Sequence, residues 1–142
     1  MSSEPLAISY YLNFFLLFEF INKLFFMRDF SKLSIWQKSH ELTLKIYTLT
    51  KSFPREEIFG LTSQMRRSAS SIPTNIAEGC GRSSNPQFKH FLNFSIGSTS
   101  ELEYQIILTK DLHYISDIAF NELHPLITEV RKMIYAYREK LD

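Results

Sequence analysis

Cysteine is all but missing from this chain of 142 residues: Cys80 is the only one. No internal disulfide can form, which fits a reducing compartment and argues against a small secreted scaffold. Glycine is scarce at four residues and proline at five, so the chain is neither a flexible linker nor a low-complexity tract. An excess of one charge sign is missing too. Sixteen basic residues against fifteen acidic ones leave a formal net charge of +1. That balance does not by itself imply nucleic acid or an acidic partner, though it leaves local basic clusters open. There is no Glu-x-x-His pair, and His40, His90, His113 and His124 are scattered. A di-iron or zinc site needs more ligands than that, so no metal is expected. No glycine-rich phosphate loop is present either, because Gly79-Cys80-Gly81 follows a helical pattern instead of preceding one. No cofactor is expected.

What is there is helical periodicity. The organising stretch is Leu61 to Arg82, LTSQMRRSASSIPTNIAEGCGR. Leu61, Met65, Ala69, Ile72 and Ile76 fall on one face at helical spacing. Beside them runs a second stripe: Gln64, Ser68, Ser71, Asn75 and Glu78, then Arg82. A solvated face would more usually carry Lys and Glu. The stripe is expected to be covered by protein, as an oligomer seam or as a polar network inside the core.

Residues 1–26 stand apart. Leu6 to Phe26 is nearly continuous apolar and aromatic sequence, interrupted by Asn13, Glu19, Asn22 and Lys23. Its length invites a membrane-spanning reading. A central acidic residue costs about 2.5–3.5 kcal/mol on insertion scales, however, and a membrane is not the expected partner. It makes a poor signal peptide, since Glu4 stands where a basic start belongs and no small-residue cleavage site follows. Charged, well-patterned sequence begins at Met27. Residues 1–26 therefore read as an apolar extension, either a mis-assigned start or a weakly ordered segment, with a membrane anchor as the alternative. Residues 27–142 read as one domain, and a chain near 142 residues is long enough to bury roughly 68–70% of its unfolded surface in one core.

Within that domain Ser34 is expected to cap a helix running to about Lys51, ended by Phe53-Pro54. The second helix opens at Leu61 and should end near Gly79-Cys80-Gly81 in a left-handed glycine cap. Pro73 lies inside it, removes the bond to the Ala69 carbonyl and should kink it, with Ser70 and Ser71 placed to satisfy the freed groups. A third helix follows Ser84-Asn85-Pro86 and reaches about Leu112. Its small patch of Ser95, Gly97 and Ser98 is expected against the polar stripe of the second helix. The fourth covers Ala119 to Lys140, with a seam of Leu123, Ile127, Val130, Ile134, Tyr137 and Leu141. Four amphipathic helices with short connections predict an all-α, up-down-up-down four-helix bundle with a kinked second helix.

The candidate chemistry is basic. Arg55, Arg66, Arg67, Arg82 and Lys89 are the candidate nucleic-acid or partner-binding residues, because repeated copies of them in an oligomer would build a phosphate-binding surface. The plainer alternative pairs Arg67 with Glu78 or another acid and leaves Arg66 solvated. An enzyme would need Glu78 as acid/base or Cys80 as nucleophile. Cys80 has no base nearby in sequence, so no catalytic residue is assigned.

With these residues in view, the chain resembles the four-helix bundle family of 23S rRNA intervening sequence proteins. The resemblance rests on LSIWQKSHEL, on FPREEIFGLTSQMRRSASSIPTNIAEGCGRSS and on FLNFSIGSTSELEYQIILTKDLHYI, and it covers about Phe30 to Leu141. SIPTNIAEG with Gln64-x-x-Arg67 upstream is its most specific part. The motif positions here are Gln64, Arg67, Ser71, Asn75, Ala77, Glu78, Gly79 and Arg82. The resemblance implies a bacterial, cytoplasmic, non-enzymatic homopentamer. It also implies a relation to accessory variability determinant proteins of diversity-generating retroelements, whose partners are RNA or DNA and a reverse transcriptase. This chain departs from that branch in its near-neutral charge. A structural or protein-interaction module without nucleic-acid binding is the alternative.

Overall fold

The computed structural model describes residues 4–25 and 27–141, with side-chain surroundings for residues 8–22 and 27–141. These residues are all-α, with no strand among them. There are five helices: α1 (Glu4–Phe25), α2 (Ser34–Leu49), α3 (Leu61–Cys80), α4 (Asn85–Asp111) and α5 (Asp117–Glu139). Three short 3-10 turns lie at Phe30–Lys32, Thr50–Ser52 and Arg55–Glu57.

The expectation of four helices is thus corrected to five. The reason is local. Residues 4–25 contain no glycine, and their one proline, Pro5, lies in the first turn, where its missing N–H costs nothing. Among the described residues, α1 packs against none of the other elements. Its large apolar side chains from Ile8 to Ile21 are exposed. No helix among the described residues is long and apolar enough to cross a membrane.

The other four helices share one core. α2 packs on α3, α3 on α4 and α4 on α5, and α5 returns to α2. Leu61, Met65, Ala69, Ile72 and Ile76 are all buried, as their spacing predicts. So are Leu123, Ile127, Val130, Ile134 and Leu141 across the core, and Phe88, Leu92, Leu102 and Ile106 on α4. Each fully buried Leu or Ile contributes about 1.5–3 kcal/mol. Trp36, Leu49 and Tyr137 pack against the core while remaining partly exposed.

Helix ends follow the sequence in part. Ser84 caps α4 by accepting from the Gln87 N–H at 3.3 Å, and Ser116 caps α5 by accepting from the Ala119 N–H at 3.1 Å. Ser34 does not cap α2; Leu33 holds that position, and Ser34 is the first helical residue. No glycine takes a left-handed cap: Gly81 closes α3 with φ −79°. The left-handed residue is His113, φ 60°, at the end of α4. The Tyr114 N–H reaches back to the Thr109 carbonyl and the His113 N–H to Lys110, each at 2.9 Å, so two last-turn carbonyls are satisfied there.

α3 runs through Pro73 without a break. The Ala69 carbonyl that Pro73 deprives of a donor is not served by Ser70 or Ser71. Thr43 of α2 donates to it at 2.9 Å. Ser70 donates to the Arg67 carbonyl, and Ser71 faces α4.

Candidate nucleic-acid and partner interface

The polar stripe of α3 meets α4 along its middle. Ser71 and Ser98 share a hydroxyl hydrogen bond at 2.8 Å, and Ser95 donates to the Ile72 carbonyl at 2.9 Å. Further along, a Cβ placed on Gly79 would lie 2.5 Å from Phe88 Cδ2. Rising numbers on α3 meet falling numbers on α4, so the two helices are antiparallel. The small patch of α4 is therefore where its residue types place it, with one exception. Gly97 points away from α3: it is exposed, and a Cβ added there would meet nothing within 4 Å.

The stripe divides by exposure. Ser68 is buried and donates to the Gln64 carbonyl. Ser71 and Asn75 are half-buried, and the Asn75 amide donates to the Ser71 carbonyl and hydroxyl at 2.9 and 3.0 Å. Gln64 and Glu78, toward the two ends, are exposed. Glu78 pairs with Arg82 one turn on, at 2.8 Å. The anticipated Arg67–Glu78 pair does not form. Eleven residues of helix put the two about 16 Å apart along the axis.

The five candidate cations occupy two places. Arg55 lies in the connector before α3, and Arg66 and Arg67 lie in its first half. Arg82 follows the other end of α3, and Lys89 lies in the first turns of α4. Some fifteen residues of helix rise, about 22 Å, separate Arg67 from Arg82. Arg82 stacks on Phe91, with its guanidinium 4.5 Å from the ring centre. Arg66 is not a freely solvated residue. Its Nε donates to the Thr50 hydroxyl at 2.8 Å, and its guanidinium sits 5.0 Å from the Tyr47 ring centre. Arg67 is exposed and makes no hydrogen bond or ion pair among the described residues.

Two features escape a reading based on core periodicity. Arg28 donates to the Asn85 side chain at 2.6 Å and lies 4.9 Å from the Phe88 ring centre, tying the segment after Met27 to the start of α4. On the outer side of α2, Trp36 and His40 are stacked with ring centres 5.0 Å apart and planes within 8°. The sequence does carry a signal for this second feature: Trp36, His40, Leu44, Tyr47 and Lys51 repeat at helical spacing on the side away from Leu42 and Ile46.

Cys80, the candidate nucleophile, is buried, and Glu78, the candidate acid/base, is ion-paired with Arg82. Burial pushes the Cys80 thiol up to about 11. No group of three or more metal-ligating side chains gathers among the described residues.

No curated protein matches the chain. A crystal structure of a protein of unknown function from the S23 ribosomal protein family of Bacteroides thetaiotaomicron VPI-5482 is similar. It shares 27% identity and a TM-score of 0.70 over 75% of this chain and 96% of that one. The model of the 23S rRNA-intervening sequence proteins matches residues 31–136. That span takes in α2 to α5 almost entirely and leaves out α1. The chain belongs to the 23S rRNA-intervening sequence protein family.

Proposed function

We propose that this protein is a non-enzymatic, homo-oligomeric, up-down-up-down bundle of α2 to α5 that binds nucleic acid. The observation that carries the reading is Arg67. It is an exposed guanidinium beside Arg66, with no hydrogen-bond or ion-pair partner among the described residues. In a nearly neutral chain, several other cations are already engaged: Lys38, Lys45, Arg82 and Arg131 each face a carboxylate. An arginine left unpaired by its own fold is available to a phosphate, and repeated copies would multiply the effect. The buried Cys80 and the ion-paired, exposed Glu78 support the absence of catalysis. The test is RNA binding across a salt series. Affinity should fall steeply with salt, and Arg67→Ala should flatten the slope by about 0.7–0.9 for each phosphate that Arg67 neutralises. Binding indifferent to salt, or none at micromolar protein, overturns the reading.

A second reading, a structural module without nucleic acid, has its own observation. Gly97 sits in the interior of α4 at a cost of about 0.5–1 kcal/mol relative to alanine, and nothing it touches within the chain requires it. Phe94 is half-exposed one turn away. A second copy approaching closely at Gly97 would account for both. Light scattering on Gly97→Leu distinguishes the readings: a smaller assembly with unchanged RNA binding favours a seam at this face.

A further inference from the structure

The ion pairs of this molecule are distributed unevenly. Between α2 and α5, Lys38 faces Glu129 and Lys45 faces Glu122. Between α4 and α5, Arg131 and His124 converge on Glu103. The groove between α2 and α3 is different. Two adjoining hollows of about 500 and 390 Å3 run along it and share Tyr47 and Ser70. No carboxylate lines either of them, while His40, Arg66 and Arg67 do. One end is aromatic: Phe30 lies 5.1 Å from Trp36, which stacks on the exposed His40. The other end is cationic, with Arg66 held against Tyr47 and Arg67 without a partner among the described residues. Trp36 and Tyr47 are eleven residues apart, about 16 Å along α2. That matches about five phosphates of a stacked strand at about 3.4 Å each.

We propose that the α2/α3 groove is a binding site for single-stranded nucleic acid, with bases stacking on the His40–Trp36 platform and Tyr47 and phosphates held by Arg66 and Arg67. Flat aromatic rings beside arginines are what an unpaired strand requires, because every base offers a face for stacking and the backbone follows the positive charge. A duplex hides its bases and could use only the arginines. An acidic peptide would engage the arginines but leave the ring platform without a partner. A carboxylate-free wall suits a polyanion better than a surface of mixed charge. The inference rests on the nucleic-acid reading above and deepens it, by naming the strand form and the residues that take the bases.

Trp36 is the only tryptophan, so its emission reports on this groove alone. The full chain is titrated with a labelled single-stranded oligo(dT) or oligo(U) twelve-mer and with a duplex of the same length. Anisotropy and tryptophan emission are read together. The expected result is saturable quenching by the single strand, with the duplex bound more weakly. His40→Ala, a surface change checked by thermal unfolding, should weaken single-strand binding about 5- to 150-fold, the range for loss of one stacked base. Single-strand binding that leaves Trp36 emission and the His40→Ala affinity unchanged overturns the groove while the nucleic-acid reading stands. No binding of either form overturns both. If His40→Ala reduces the native mass in light scattering, the groove is an interface between copies, and the inference fails on that ground.

Discussion

The Thr43 hydroxyl lies 2.9 Å from the Ala69 carbonyl, the group that Pro73 strips of its helical donor. A helix interrupted by proline is thereby completed from its neighbour, inside a buried part of the α2/α3 interface. Thr43 is equally close, at 2.9 Å, to the Ser39 carbonyl of its own helix. One hydroxyl proton serves both. Thr43→Val keeps the shape and removes the proton, leaving a buried carbonyl unsatisfied. The expected loss is about 1–3 kcal/mol in urea unfolding. Pro73→Ala restores an N–H able to serve Ala69, so the Thr43→Val penalty should shrink in that background. Equal penalties in both backgrounds would show that the hydroxyl does not substitute for the missing helical bond.

Two glycines in the helices should respond in opposite directions. At Gly79 an added Cβ would lie 2.5 Å from Phe88 Cδ2 and 3.0 Å from Phe91 Cβ. Phe88 is fully buried and cannot swing aside. Gly79→Ala should therefore destabilise by about 1–3 kcal/mol through overpacking. At Gly97 the space is open, and Gly97→Ala should stabilise the isolated chain by about 0.5–1 kcal/mol. Thermal unfolding of both variants, at a concentration where the mass is known, checks the pair. A destabilising Gly97→Ala would place a neighbouring molecule against that helix.

The contrast between these glycines shows what residue order carries and what it does not. The apolar stripes of α3 and α5 are legible because burial follows helical period, and Ile72 and Val130 lie where the period puts them. Ser84 and Ser116 are legible as caps because a side-chain oxygen before a helix has one obvious use. Long-range polar partners are not. Nothing local ties Thr43 to Ala69 or Thr50 to Arg66, since each bond depends on how two helices are rotated against each other. Arg67 and Glu78 have complementary charge, but helix rise separates them by three turns. The apolar run of α1 suggests a membrane or a mis-assigned start before it suggests a helix, although nothing inside it breaks one. Of the candidate cations, composition identifies the members but not their division between two ends of α3.

Cys80 should be chemically quiet. It is buried, and desolvation raises its thiol to about 11. At pH 8 only about one part in a thousand is thiolate, and the thiolate is the nucleophile. A thiol-reactive chromogenic disulfide should label the folded chain at a rate limited by opening of the structure, and the urea-unfolded chain within seconds to minutes. Fast stoichiometric labelling of folded protein would mean that the α3–α4 junction opens readily.

Glu103 makes folding stability depend on acid in a defined direction. Arg131 donates to its carboxylate, and His124 Nε2 lies 3.2 Å from the other oxygen. The hydrogen bond from Arg131 is the main cause holding the Glu103 carboxyl below its ordinary value of 4.5; burial acts the other way, and the Arg131 and His124 charges add to the lowering. A carboxylate depressed on folding stabilises the native state fully above its unfolded value, and that contribution is lost as pH falls through the folded value. Glu103→Gln should therefore cost stability at pH 7 and at pH 5 alike, by about 1 kcal/mol once solvent screening of a partly exposed pair is allowed for. Below pH 4.5 the wild-type advantage should shrink, and it should vanish once Glu103 is protonated in both states. Urea unfolding of both proteins at pH 7, 5, 4 and 3 measures this directly. A wild-type advantage that persists unchanged at pH 3 would assign the effect of Glu103 to packing instead of charge.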